Sequence, residues 1–140
     1  MTNLSLDQIT AKVIDAALRI HRDLGPGLLE SVYVAVLASA IERRGLDVRR
    51  NQSIAFTYDG ITFENAFRID LLVEDKIIVE LKSVERELPV HKKQLLTYLR
   101  LSNLQVGLLI NFGAATLKEG LHRIVNNFDD THSALLQKQF

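Results

Sequence analysis

The chain has 140 residues, is 47% hydrophobic and 24% charged, and balances 17 Lys plus Arg against 17 Asp plus Glu. That is the length of one domain, 1–140, with enough apolar residues for a core, which excludes a disordered chain. Zero net charge excludes a general basic field for nucleic acid, and the absence of cysteine excludes disulfides and thiolate metal sites.

No apolar run is long enough to span a bilayer, and the polar start Met1-Thr2-Asn3-Leu4-Ser5 has no signal-peptide core. The expectation is a cytoplasmic protein with no membrane partner. Ser5 and Gln8 form a capping box that starts a helix. Ile9, Val13, Ala16, Ala17, Ile20 and Leu24 repeat at helical spacing until Gly25-Pro26-Gly27 stops them. A second helix is expected over residues 28–44, with Leu29, Val32, Tyr33, Val36, Leu37, Ala40 and Ile41 as its apolar stripe and Gly45 as its cap.

Strand signals follow. Val48 and residues 54–58 precede Asp59-Gly60, a strong hairpin signal. Residues 61–73 read as a long strand that Glu64-Asn65 kinks or bulges, and residues 76–82 as the next strand. Pro89 opens a helix that continues through Leu101. The almost wholly apolar residues 106–112 predict a strand buried on both faces. Residues 113–120 connect, with room for one helical turn; residues 121–126 fit a strand or a helix; a polar tail with a short helix follows from Asp129. The order predicts one α/β domain.

Asp70, Glu80 and Lys82 stand inside the apolar runs of the hairpin over residues 68–82, where charge is costly unless paired. Side chains alternate along a strand, so Glu80 and Lys82 share a face with Ile78. A two-residue turn at Glu74-Asp75 sets Asp70 opposite Val79. A three-residue turn, Glu74-Asp75-Lys76, sets Asp70 opposite Glu80 and Leu72 opposite Ile78; the two registers exclude each other. In the second, two facing carboxylates about 5 Å apart repel by about 3 kcal/mol at an effective dielectric near 20. A hard divalent cation between them would relieve this, with one or two carboxylates and several waters completing its shell. Two acids, a lysine and a metal are the parts needed to cut a phosphodiester. The alternative is a solvent-facing strand end in which Asp70 pairs with Arg68 or Lys82.

Gln94 and Tyr98 lie four residues apart on the helix after Lys82 and share a face, with His91 one turn earlier. Glu30 lies one turn before Tyr33, just after the glycine-rich stop. Taken singly, Tyr33 and Tyr98 read as core residues with satisfied hydroxyls, Gln94 as surface, and Glu30 as a first-turn carboxylate complementing the helix dipole.

Together these residues resemble the GxxExxY family, in which Gly27, Glu30 and Tyr33 match the naming pattern. That family is assigned to the PD-(D/E)XK nuclease superfamily, whose metal motif is matched by Asp70 and by Glu80 and Lys82 as E-x-K. The Gln-x-x-x-Tyr helix of its exonuclease-like branch is matched by Gln94 and Tyr98, and the early-helix glutamate by Glu30. Ile69 stands where the superfamily name has proline, a residue that is not a ligand. The resemblance implies a restriction-endonuclease-like α/β fold with a central mixed sheet flanked by helices. It also implies a Mg²⁺-dependent nuclease acting on DNA, with Mn²⁺ able to substitute. Asp70, Glu80, the Leu81 carbonyl and Glu30 would be the metal set, Lys82 the catalytic lysine, and Gln94 and Tyr98 would orient Lys82 or the phosphate.

Arg43, Arg44, Arg49, Arg50, Lys92 and Lys93 form basic pairs that would contact DNA phosphates if they border the carboxylates. The four histidines lack metal-ligand spacing, and Gly25-Pro26-Gly27 is too short for a phosphate loop. A small domain of this kind leaves room for a protein partner or a homodimer. A rival reading is a catalytically silent nuclease-fold module that binds or regulates within a nucleic-acid-processing complex.

Overall fold

The structure is a computed structural model, and it describes residues 3–127. The tail expected from Asp129 onward lies outside the described residues.

Helix α1, Leu6–Leu24, starts on the expected capping box: Gln8 N–H donates to Ser5 Oγ at 3.1 Å and Ser5 N–H to Gln8 Oε1 at 2.8 Å. It ends where the Gly25 N–H donates to His21 O, with Gly25 at a φ of 70°. Ile9, Val13, Ala16, Ala17 and Ile20 are buried as the periodicity predicts.

Helix α2, Glu30–Arg43, begins two residues later than expected because Leu29 is extended and Leu28 N–H is held by the Tyr33 hydroxyl. Its buried face is Tyr33, Val34, Leu37, Ala38 and Ile41, while Leu29 and Val32 of the expected stripe are exposed. Apolar residues run around much of this helix, so periodicity alone did not select the buried side.

Five strands follow: β1 Val48–Tyr58, β2 Ile61–Val73, β3 Ile77–Lys82, β4 Val106–Asn111 and β5 Leu121–Val125. Helix α3, Pro89–Ser102, connects β3 to β4, and the single turn α4, Leu117–Gly120, precedes β5. The sheet runs β1-β2-β3-β4-β5, antiparallel except for the parallel β3–β4 pair that the α3 crossover requires. This is the expected mixed sheet flanked by helices.

Asp59 and Gly60, at φ 51° and 78°, form the two-residue turn between β1 and β2. Pairing jumps from Ile54↔Phe67 to Phe56↔Phe63, so β2 bulges at the anticipated Glu64-Asn65. The open choice over residues 121–126 resolves as a strand. β4 is buried along its whole length and its second side needs an extended partner for its backbone groups, which β5 supplies.

One face of the sheet packs Leu71, Val73, Ile77, Val79, Leu81, Leu108 and Ile110 against α1 and α2. The other packs Ile69, Leu72, Ile78 and Leu109 against Leu95 and Leu99 of α3.

The ends of β3 and β4 are locked together by Asn111, which is 2% exposed. Its Oδ1 accepts from Val84 N–H at 3.1 Å and Gly113 N–H at 2.9 Å, and its Nδ2 donates to Val84 O at 2.9 Å. Gly113 makes the approach possible, because a Cβ there would lie 2.3 Å from Val84 O. Asn111→Ala leaves three hydrogen bonds of partly buried backbone groups unmade, and we expect a loss of about 3 kcal/mol in urea unfolding. A loss below ~1 kcal/mol would show that the loop after β3 holds its place without this side chain.

Candidate active site

The turn between β2 and β3 decides the register. Glu74 and Asp75 take left-handed φ values of 54° and 53°, and Lys76 N–H donates to Val73 O at 3.0 Å. Pairing is then Val73↔Ile77, Leu72↔Ile78 and Leu71↔Val79, the register of the three-residue turn. The next step places Asp70 across from Glu80.

At that step the regular ladder stops and the side chains take it over. Asp70 N–H donates to Glu80 Oε1 at 3.0 Å, and Leu81 N–H donates to Asp70 Oδ2 at 2.9 Å. Each carboxylate therefore spends one oxygen on a backbone N–H, which leaves Asp70 Oδ1 and Glu80 Oε2 without a backbone donor among the described residues. Glu80 is 9% exposed and Asp70 is half-buried.

Burial, and after it the Asp70 charge, pushes the Glu80 carboxyl up to about 8; the Asp70 N–H and the Lys82 charge pull the other way, and a side-chain hydrogen bond with Asp70 adds a further rise. Glu80 therefore keeps its proton at neutral pH. Burial, then Glu80 and Asp70, also raise the Tyr98 phenol, so this side chain lies within the field of both carboxylates. Its ring stacks on Phe67 at 4.2 Å between centroids.

The other expected residues distribute around this pair. Lys82 is half-buried at the end of β3. Leu81 is fully buried among the α1–α2 core residues, with its N–H on Asp70. Gln94 is exposed, and among the described residues no hydrogen bond joins it to Lys82. Leu95 and Leu99 supply the packing between α3 and the sheet. His91 serves the start of α3, where Nδ1 accepts from Leu88 N–H at 3.3 Å.

Glu30 reaches the same end of β3 by another route. Its Oε1 accepts from Ser83 N–H at 3.4 Å, and the Ser83 hydroxyl donates to Leu28 O. It lines a cleft of about 820 Å³ with Gly27, Leu28, Ser83 and Val84, which Asp70, Glu80 and Lys82 do not line. Among the described residues no group of three His, Cys, Asp or Glu side chains is placed to hold a metal ion together. Glu30 therefore flanks the carboxylate pair and does not join it.

The spacing of Gly27, Glu30 and Tyr33 acquires a physical meaning here. Tyr33 is buried, stacks on Phe112 at 4.4 Å, and its hydroxyl donates to Gly25 O and accepts from Leu28 N–H. Gly27, at a φ of 113°, lets the chain turn into α2, so Tyr33 fixes the loop that delivers Glu30 and Leu28 O to Ser83. Sequence reading passed over Ser83 and Asn111, which are common polar residues without a distinguishing spacing.

Of the basic pairs, Arg44 is tied to Asp15 at 3.0 Å and Arg49 to Asp75 at 3.6 Å. Arg43, Arg50, Lys92 and Lys93 are exposed and form no ion pair among the described residues. Arg50 pairs with Leu71, one residue from Asp70. No helix among the described residues is long and apolar enough to cross a membrane.

A mixed sheet on which a half-buried aspartate faces a buried glutamate, with a lysine two residues on, is the arrangement of one nuclease class. The profile of the PD-(D/E)XK nuclease superfamily matches residues 7–124, and the chain belongs to that superfamily. The fold is also similar to that in the crystal structure of SSO0001, with a TM-score of 0.54 and 20% identity over 95% of this chain and 69% of that one. At that identity the likeness concerns fold alone. No curated protein matches the chain. Nucleases of the superfamily generally use divalent metals. The donor set here fits such an ion: two carboxylate oxygens without backbone donors on facing strands are hard ligands, and their mutual repulsion is what a cation relieves.

The raised Glu80 carboxyl gives a stability signature. Between its ordinary value of 4.5 and about 8 the folded state holds a proton that the unfolded state releases. Its contribution is thus fully present below pH 4.5 and is lost as pH rises towards 8. In chelator-treated protein, we expect Glu80→Gln to lose less stability than wild type between pH 5 and pH 8 by thermal unfolding. Parallel pH curves would show that Glu80 is not held protonated.

Proposed function

We propose that the chain is a Mg²⁺-dependent nuclease of the GxxExxY type that hydrolyses DNA phosphodiester bonds. The observation that carries this reading is the Asp70–Glu80 pair, whose burial and mutual repulsion have no use in a core but suit a cation site. Asp70 and Glu80 would hold the ion, with the Leu81 carbonyl as a further ligand by resemblance to the superfamily. When bound, Mg²⁺ or Mn²⁺ supplies Lewis acidity at the phosphate and a more acidic water.

The remaining work belongs to the chain. Lys82, whose charge already acts on Glu80, neutralises charge developing on the phosphate oxygens or holds the attacking water. Tyr98, whose phenol stays protonated beside two acids, donates a hydrogen bond toward the phosphate or Lys82. Gln94 shares its side of α3 and, being exposed, meets substrate only as substrate docks. Glu30, held at Ser83, contributes through water from the flank of the site. Arg50, Lys92 and Lys93 supply phosphate contacts that position DNA without reading its sequence. A cytoplasmic setting belongs to the same reading.

The test is incubation of single-stranded, duplex and branched DNA with the protein and Mg²⁺ or Mn²⁺. We expect cleavage, and a fall of roughly a hundredfold or more in rate for Lys82→Ala and Asp70→Asn. A chain that binds these DNAs but cleaves none of them would instead be the silent binding module.

Metal binding gives a separate check on the same residues. Binding to the folded state alone stabilises by about 2.7 kcal/mol at one hundred times Kd. We expect Asp70→Asn to be as stable as wild type or more so in chelator, and to gain little from added Mg²⁺ or Mn²⁺ in thermal unfolding. Identical gains in both proteins would place the cation elsewhere.

A further inference from the structure

The β1–β2 ribbon changes its facing at Asp70, and Asn51 is the residue at which it does so. Arg50 pairs with Leu71 and Gln52 with Ile69, so Asn51 stands across from Asp70, yet neither belongs to the regular ladder. Asn51 has a φ of 51°, in the left-handed region that side chains rarely enter and that asparagine tolerates better than most.

The consequence is visible in the packing. Residues two apart on an undisturbed strand share a face. Val48, Leu71 and Val73 belong to the core beneath α1 and α2, whereas Ile54, Phe67 and Ile69 belong to the core beneath α3. Leu71 and Ile69 are two apart and face opposite ways, as do their partners Arg50 and Gln52 by register. The ribbon therefore turns over between these pairs. Asp70 falls at the turnover, where the alternation assigns it to neither face, and its carboxylate reaches Leu81 N–H on the neighbouring strand.

We propose that Asn51 is a positioning residue for Asp70: its left-handed backbone interrupts the ladder opposite Asp70 and so presents the Asp70 carboxylate toward Glu80. The inference rests on the reading of Asp70 and Glu80 as cation ligands. Asn51 is exposed and its side chain makes no hydrogen bond among the described residues, so its contribution comes through its backbone conformation. Glycine should then replace it, and a β-branched residue should not, because φ above zero is a steric outlier for the latter.

The experiment is calorimetric titration of Mn²⁺ alone into the full chain, comparing wild type, Asn51→Gly, Asn51→Ala and Asn51→Val, with Asp70→Asn as the reference for a lost site. We expect Asn51→Val to raise the Mn²⁺ dissociation constant about tenfold or more and Asn51→Gly to stay within about twofold of wild type. If Asn51→Val does not fold, Asn51→Ala carries the comparison, with an expected weakening of several-fold. A purely structural role would lower the unfolding temperature of the Val or Ala variant and leave its Mn²⁺ affinity at the wild-type value, and that result overturns the proposal. Wild type that binds no Mn²⁺, or Asp70→Asn that binds it equally, removes the cation reading itself and this inference with it.

Discussion

Two backbone N–H groups bonded to two carboxylates, where a pair of ordinary strand bonds would stand, set the terms for the rest of the molecule. Asp70 N–H on Glu80 and Leu81 N–H on Asp70 keep β2 and β3 joined while turning their side chains into a site. The exchange satisfies the buried backbone donors, but it concentrates negative charge in a place with little water. Lys82 and the two N–H groups offset part of that cost, and the proton that Glu80 keeps when no cation is bound offsets more. Such a pair is weak support for stability and strong support for a role that needs the charge. Rigid packing on both faces of β3, whose residues 77–81 are all buried, keeps the strand from relaxing away from the strain.

The second requirement is that the far end of β3 stay in place, and three different interactions meet there. Asn111 binds the chain just after Ser83 to the end of β4. Ser83 binds the loop before α2 through Leu28 O and Glu30. Tyr33, stacked on Phe112, ties that loop back to Gly25. The pattern of glycine, glutamate and tyrosine thus works as a brace between α2 and the strand that carries Lys82. In the proposed nuclease reading, catalytic geometry would be sensitive to shifts of about 1 Å, so residues that bear no chemistry of their own would still govern it.

Much of the architecture was legible because local chemistry and the tertiary structure agree. The Ser5–Gln8 box, the Asp59-Gly60 turn, Pro89 at a helix start and the almost wholly apolar residues 106–112 each carry a local signal whose cause lies within a few residues. Helix α2 was read less well, since an almost uniformly apolar sequence does not say which side meets the core. Residues 121–125 were undecidable alone, because only the buried edge of β4 makes a strand of them.

For the candidate site, the sequence by itself singled out the candidates: two acids, a lysine in E-x-K spacing, and a tyrosine and glutamine four residues apart on the following helix. Periodicity restricted the hairpin to two registers and could go no further, since the energy separating them comes from packing on both faces of the sheet. Tertiary structure decided that Asp70 meets Glu80, that Glu30 stands at Ser83 and outside the pair, and that Gln94 faces solvent while Tyr98 lies in the field of the acids. It also decided the turnover at Asn51, which rests on one backbone angle and on the assignment of alternate residues to two cores. Composition and spacing specify side chains, but which face each one occupies is set by the layers that close around the sheet.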